Sequence, residues 1–353
     1  MKDKLKTIAK YIFTIALIVV SGYLSIKDIA LEDIINALAN ANYLWVILSI
    51  PIILLAHWLR AMRWKTMLKP LIQKTSTYRL FKAVMIGYAA NSVTPRGGEL
   101  LRPYVYAREE GISFSSCFGA IVVERFLDLL TLLVVFLVAL TVFRDKIIRA
   151  LQDTFDAMGG SFDPSKVTFI VTIIALIFIF SFYPPVYSFI LRITVKPFSN
   201  NLYTKIKGLF DRFRDGFAII KDPSEYTKIA GYSIGIWICY GIPNYLMFYS
   251  FDFQAHHNLG IADAMLLLIV TGLAFLIAPT PGAIGVHHVV ISKTMIILYG
   301  VTNKEALAYA ILTHAINYIV NSITGGYYYL KKDKNIKLNE MKLGEVDPEK
   351  STE

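Results

Sequence analysis

With only two cysteines in 353 residues, Cys117 and Cys239, each alone inside an apolar block, the chain has no disulfide framework. Charged residues are scarce too, at 18%, against 55% hydrophobic residues and a mean hydropathy of +0.52. A soluble fold has no way to bury that much apolar surface. No Walker loop, dinucleotide fingerprint or zinc spacing occurs, so no cofactor or metal is expected, and an ATP-driven pump would need a partner. What remains is an all-α polytopic membrane protein.

A transmembrane helix needs about 20 mostly apolar residues to cross about 30 Å of hydrocarbon. Six blocks qualify, at roughly 8–26, 42–59, 112–143, 167–186, 229–251 and 306–330. Lys2, Lys4, Lys6 and Lys10 precede the first, yet no small-x-small cleavage pattern closes its core, so it reads as an uncleaved span. Lys and Arg then set the orientation. The N-terminal arm, the 60–82 connection with seven basic and no acidic residues, the 192–228 loop with eight basic residues, and Lys331-Lys332 are cytoplasmic by this rule. Segments 27–41, 144–166 and 252–260 face outward. Both termini are therefore expected in the cytoplasm of a multi-pass cell-membrane protein.

That alternation uses all six spans, so the apolar pieces 81–110 and 262–299 must each return to the side they left. Backbone that turns inside a bilayer survives only where protein or a wet cavity surrounds it. The first piece is read as a re-entrant hairpin: Ala83–Val93 rises about 18 Å, Thr94-Pro95-Arg96-Gly97-Gly98 turns, and Glu99–Glu110 returns. The second climbs through Ile261–Ala278, turns in APTPGAIG, and returns along Val286–Tyr299, with Pro279 and Pro281 removing donors and Gly282 and Gly285 permitting positive φ. Two full crossings would leave the parity unchanged. The expected fold is six full helices plus two re-entrant hairpins, eight helical units in all. It forms one integral domain over 1–330 with pseudo-repeats 1–143 and 167–330 of inverted topology, and a polar tail at 331–353. Such repeats mark transporters with a midplane site.

The stretches TPRGGELLRPYV, GISFSSCFGAIVVERFLDLL and PTPGAIGVHHVV together resemble the integral membrane domain of bacterial lysylphosphatidylglycerol synthases, a family also found as stand-alone, flippase-like proteins. The resemblance implies movement of a phospholipid or related polar lipid between leaflets. It also leads to the expectation that the soluble aminoacyl-transferase domain is missing, so that the chain carries such a lipid without synthesising it. Where the family commonly has an acid after the P-G-x-x-G turn, this chain has His287-His288.

Several charges lie at membrane depth, where they are expensive and sit inside the bundle by default. Glu124 and Asp128 share one helix face and repel unless a cation joins them, with Arg96 or Arg102 the obvious source. A structural ion-pair lock is the alternative for that pair. Arginine binds phosphate bidentately and keeps its charge, and the helix start after Gly97-Gly98 is expected to aim free N–H groups at the same cavity. The expected lining is thus Arg96, Gly97, Gly98, Glu99, Arg102, Glu124, Arg125 and Asp128, with Pro281, Gly282, Gly285 and His288 from the opposite turn.

Other polar residues have plainer readings. His256-His257 lack a third metal ligand, Lys293 snorkels or faces the cavity, and the stripe His314, Asn317, Asn321 reads as interhelical glue. Trp58 and Trp64, flanked by Arg60 and Arg63, fit an interface anchor. Residues 204–220 have amphipathic spacing suited to an anionic leaflet, which together with the net charge of +10 points to a membrane surface and not to nucleic acid. Partners expected are an anionic, aminoacylated or polyprenyl-linked lipid, a second copy of the chain, and a separate synthase or glycosyltransferase. The competing classes are an integral membrane transferase using Glu99, Glu124 or Asp128 as base, and a scaffold subunit for a glycosyltransferase.

Overall fold

The computed structural model describes residues 29–69, 75–94, 96–157, 184–204, 223–277 and 280–331, with isolated positions between them. The expected spans 8–26 and 167–186, Pro95, Pro279, most of the 204–220 segment and most of the tail lie outside the described residues. Among those described, every element is helical: α1 (Leu31–Ala39), α2 (Tyr43–Leu68), α3 (Thr77–Val93), α4 (Gly98–Glu110), α5 (Phe114–Val142), α6 (Arg144–Ala157), α7 (Pro184–Thr194), α8 (Pro223–Ser250), α9 (Phe253–His256), α10 (Ile261–Ile277), a 3₁₀ turn η1 (Pro281–Ala283), α11 (Val286–Tyr299) and α12 (Asn303–Leu330). The chain divides into two compact units, Met1–Ile121 with Ser224–Glu353, and Val122–Pro223.

Among the described residues, three helical stretches are both long and apolar enough to cross a membrane, Tyr43–Leu68, Pro281–Tyr299 and Asn303–Leu330. The first and third extend the expected spans 42–59 and 306–330. The second covers the turn and return arm of the expected second hairpin over 19 residues, but Gly282, Ala283 and Gly285 interrupt it, so its continuous helix is the 14-residue α11, roughly 21 Å of rise. α5 and α8 occupy the positions of the blocks 112–143 and 229–251. Outward-facing apolar stripes recur at helical spacing: Ile319, Ile323 and Tyr327 on α12, Leu44, Ile47, Leu48 and Leu55 on α2, and Val134, Val138 and Val142 on α5 are all exposed. Exposed apolar stripes on several helices suit hydrocarbon and not water.

α2 exposes apolar residues and buries polar ones among its apolar core residues. Its buried set includes Ser49, His57, Arg60, Arg63 and Thr66. Asn42 starts this helix, its side chain accepting from the Leu44 N–H at 3.1 Å. Trp64 is wholly buried, as is Arg63, and Arg60 is only 3% exposed. The reading of these residues as an interface anchor is therefore corrected: they fill the protein interior because neighbouring helices supply polar partners, Ser233 to Arg63 and the Tyr240 hydroxyl to Arg60.

Within the larger unit α3 is the hub, packing on α2, α4, α12 and η1. α3 and α4 fold back on each other, with Arg79 paired to Glu110 at 3.1 Å, Lys82 to Glu109 at 3.4 Å, and Gly87 against Gly98 at the far end. A Cβ on Gly98 would overlap the Gly87 carbonyl oxygen, so two glycines let the backbones touch. Gly325 does the same for α12, lying against the Met85 carbonyl and Ala89 of α3. α10 and α11 pack together, and α11 packs on α12. One apolar core joins Ile53, Phe248, Phe253 and Tyr309, a second joins Trp64, Leu80, Val84 and Tyr106, and a small third joins Ile86, Tyr104 and Val105. In the smaller unit, described from Val122 onward, Arg125 is the centre of an ion-pair cluster on α5.

At the polar end of α8, outside the apolar block 229–251, Glu225 takes hydrogen bonds from Lys69 at 2.7 Å and Lys228 at 3.0 Å. Those two ammonium groups, Lys69 first, hold its carboxyl below the ordinary value. A depressed carboxylate contributes stability above its unfolded value of about 4.3 and loses it as pH falls through the lower folded value. Stability of wild-type protein in detergent is thus expected to decline below about pH 4, and Glu225→Gln to flatten that acid limb in a thermal-unfolding series.

Candidate functional site

The turn after α3 is built by hydrogen bonds. The Thr94 N–H and hydroxyl both reach the Ala90 carbonyl, at 2.9 and 3.1 Å, and Thr94 is extended, which ends the helix. Arg96 then adopts a left-handed conformation at φ 58°, which costs a non-glycine residue about 1 kcal/mol or more. The Gly98 N–H donates to the Asn91 side-chain oxygen at 2.8 Å. Gly97, Glu99 and Leu100 donate to Thr94, Arg96 and Gly97 carbonyls at 3.2 Å each. The expectation of free N–H groups here is corrected: the tight turn has already used them.

The second turn has three left-handed residues, Gly282 (φ 56°), Ala283 (φ 63°) and Gly285 (φ 83°). Tyr318 packs so closely on Gly282 that a Cβ there would meet its ring at 2.7 Å. The Thr280 hydroxyl donates to Ile284 O at 3.1 Å, closing the loop, and the Gly285 N–H donates to His288 Nδ1 at 3.3 Å, capping α11. His314 Nε2 donates to the Gly282 carbonyl at 2.7 Å. The Tyr318 hydroxyl reaches back to Ser92 O at 3.4 Å, so the two turns stand side by side.

A cavity of about 380 Å³ lies where they meet, within the larger unit. α3 contributes Tyr88, Asn91 and Ser92; α8 contributes Tyr240, Pro243 and Asn244; α10 contributes Thr271 and Phe275. The second turn adds Thr280, Gly282 and Ala283, followed by His287 of α11, and α12 adds Thr313, His314, Asn317, Tyr318 and Asn321. Arg96 stands exposed on the lining, and no Asp or Glu belongs to it among the described residues. Behind it, Tyr240 accepts from Arg60 at 3.0 and 3.2 Å and touches the Tyr88 hydroxyl at 3.1 Å, while His57 sits 2.8 Å from Asn321.

Of the residues expected from sequence, Arg96 and Gly282 line this cavity; Gly97, Gly98, Glu99, Pro281, Gly285 and His288 build its turns. Arg102 is buried, its guanidinium 4.0 Å from the centre of the Trp64 ring, a cation–π contact away from the cavity. Arg125, in the smaller unit, lies 3.9 Å from Glu124 and 3.6 Å from Asp128, so the helix carries its own cation against the two carboxylates. Lys293 is exposed and outside the lining. His256 and His257 contact backbone carbonyls of Asp252 and Tyr299. Sequence reasoning missed Asn91, Asn244, Tyr88 and Tyr240; the α12 stripe read as glue does tie elements together, His314 to Gly282 and Asn321 to His57, and it also lines the cavity. The signal for that stripe was its i, i+3, i+7 spacing beside a hairpin.

Exposed apolar stripes on several helices, with buried polar side chains behind them on α2, define the class: a multi-pass helical membrane protein. A family model described as lysylphosphatidylglycerol synthase TM region matches residues 8–325, and the chain belongs to that family. It is 25% identical over 313 residues to glycosyltransferase AglD of Haloferax volcanii, covering 84% of this chain and 50% of that protein, so it spans about half that relative's length. It is 22% identical over 325 residues to a UPF0104 membrane protein of Pyrococcus horikoshii, covering 86% of this chain and 92% of the other. A UPF0104 membrane protein of Methanothermobacter thermautotrophicus matches over 134 residues at 26% identity, 36% of this chain and 39% of that one. No solved structure matches.

Proposed function

We propose that the protein moves a phospholipid or related polar lipid between leaflets, the head group passing through the cavity while the tails stay in hydrocarbon. The observation that supports this most is the meeting of two interrupted helix pairs at one cavity whose wall, among the described residues, carries an arginine, four amides and no carboxylate. α3–α4 and α10–α11 act as the two hairpins of inverted halves, 1–143 and 167–330, within six full spans, with both termini in the cytoplasm. Interrupted helices at a midplane site are the usual architecture of alternating access. Arg96 is the phosphate ligand: its left-handed backbone is strain held at one position of the turn, and its guanidinium offers a bidentate fork.

Reconstitution into liposomes with fluorescently tailed lipids, read by dithionite bleaching, tests this. Wild-type vesicles are expected to bleach beyond the outer-leaflet fraction. Arg96→Ala is expected to slow that phase about tenfold or more, the value of one charged hydrogen bond to phosphate. Equal kinetics in empty, wild-type and variant vesicles across a head-group panel would overturn the proposal.

The similarity to a protein named glycosyltransferase favours a second reading, a membrane subunit that presents a lipid carrier to such an enzyme, or an integral transferase with Glu99, Glu124 or Asp128 as base. Activity that depends on those carboxylates and not on Arg96 would select it.

A further inference from the structure

The hydrogen-bonding character of the cavity wall narrows the head group. Asn317 Nδ2 donates to the Thr313 carbonyl at 3.0 Å and Asn244 Nδ2 to the Tyr240 carbonyl at 3.4 Å, so each amide points its carbonyl oxygen elsewhere. These assignments are fixed by the partners, since a backbone carbonyl only accepts. The Thr271 hydroxyl donates its single proton to the Leu267 carbonyl at 2.8 Å and retains only acceptor lone pairs, whereas Thr313 Oγ1, which donates to the Tyr309 carbonyl at 2.8 Å, already has His287 Nε2 at 3.2 Å. Asn91 is the opposite case: its oxygen is taken by Gly98, leaving an NH₂. Asn321 is the same case as Asn91, its oxygen lying 2.8 Å from His57 Nε2, so the wall donates as well as accepts.

A bare phosphate is acceptor-only: Arg96, Asn91 and Asn321 can serve it, but it gives nothing to the amide oxygens of Asn317 and Asn244 or to the Thr271 hydroxyl. An ammonium group supplies donors, but among the described residues the wall has no carboxylate to neutralise it, and Arg60 stands behind Tyr240 as a second positive charge. Uncharged hydroxyl groups donate and accept, and carry no such penalty. The ring faces of Phe275 and Tyr318 on the same wall offer the apolar contact that the C–H faces of a sugar or cyclitol need. At about 380 Å³ the cavity falls in the small-molecule range of about 300–1,000 Å³.

We infer that the cavity receives an uncharged polyhydroxyl group, a sugar or polyol, joined to one phosphate that lies against Arg96. This rests on the lipid-translocation reading for the source of the phosphate, but binding is measured without transport. In detergent, titration calorimetry with short-chain phosphatidylinositol, phosphatidylcholine and phosphatidylethanolamine is expected to show inositol lipid bound about tenfold or more tighter than either amine lipid, the value of one or two hydrogen bonds. Asn317→Leu and Asn244→Leu are expected to reduce that ratio severalfold, with Arg96→Gln weakening inositol lipid and inorganic phosphate alike. Retained protection of Cys117 from a thiol reagent certifies that each variant is folded. Equal affinity for the three lipids in wild-type protein overturns the inference, as does inorganic phosphate competing as well as inositol phosphate. Tight inositol-lipid binding without bleaching keeps the inference and removes translocation; bleaching without head-group preference does the reverse. Free inositol phosphate bound as tightly as the lipid keeps the hydroxyl site and removes the lipid from it.

Discussion

Replacing Trp64 by alanine is expected to destabilise the protein by about 3 kcal/mol, the low end of the range for deleting a fully buried aromatic. The low end applies because neighbouring helices sit in lipid, so the part of the usual cost that comes from transfer out of water is small, and lost packing dominates. Trp64 is wholly buried on α2, its ring 5.1 Å from that of Tyr106 and 4.0 Å from the Arg102 guanidinium, both on α4. Its loss leaves a hole and strips a buried cation of its aromatic face. Trp64→Phe keeps the face and part of the volume, and is expected to recover most of the difference. The chain's two buried cysteines provide the measurement, since a thiol-reactive dye reports their exposure on heating. Midpoints for Trp64→Ala equal to wild type would show that α2 and α4 do not depend on this contact.

Two adjacent glycines on α12 are expected to respond with opposite sign. A Cβ on Gly325 would overlap the Met85 carbonyl oxygen and lie 2.6 Å from the Ala89 Cβ, whereas one on Gly326 meets nothing within 4 Å. Backbone cannot yield as a flexible side chain does, so Gly325→Ala must push α12 off α3, at a cost of about 1–3 kcal/mol. Gly326→Ala only removes the entropy penalty of a glycine inside a helix and is expected to stabilise by about 0.5–1 kcal/mol. The same dye assay on both variants checks this. Equal shifts would mean that α12 and α3 are farther apart than described.

Much of the helical layout was legible because hydrophobic runs and their Pro-Gly interruptions are local signals. α5 and α12 end close to the blocks read from composition, while α2 runs on past its block to Leu68 and α8 starts before its block at Pro223; the turns at Thr94–Gly98 and Thr280–Gly285 sit where Pro and Gly cluster. The cavity was legible in part. Arg96 and Gly282 belong to those turns, so their place followed from the turn itself. Asn244 and Tyr240 give no such signal, because a lone amide in an apolar run looks alike whether it faces a cavity or another helix. Trp64 and Arg63 look like interface residues in sequence, and only the packing of α4 and α8 around α2 makes them interior.

The glycine contacts that press α3 onto both α4 and α12 have a mechanical consequence. With backbone already touching backbone, these three helices have no slack and must travel as one piece. The 3₁₀ turn opposite them is held by a histidine hook and a tyrosine lid, polar tethers that can be exchanged for water or ligand far more easily than a backbone contact can be opened. Any gate in this molecule therefore swings at the second loop, against a first loop that serves as its doorframe.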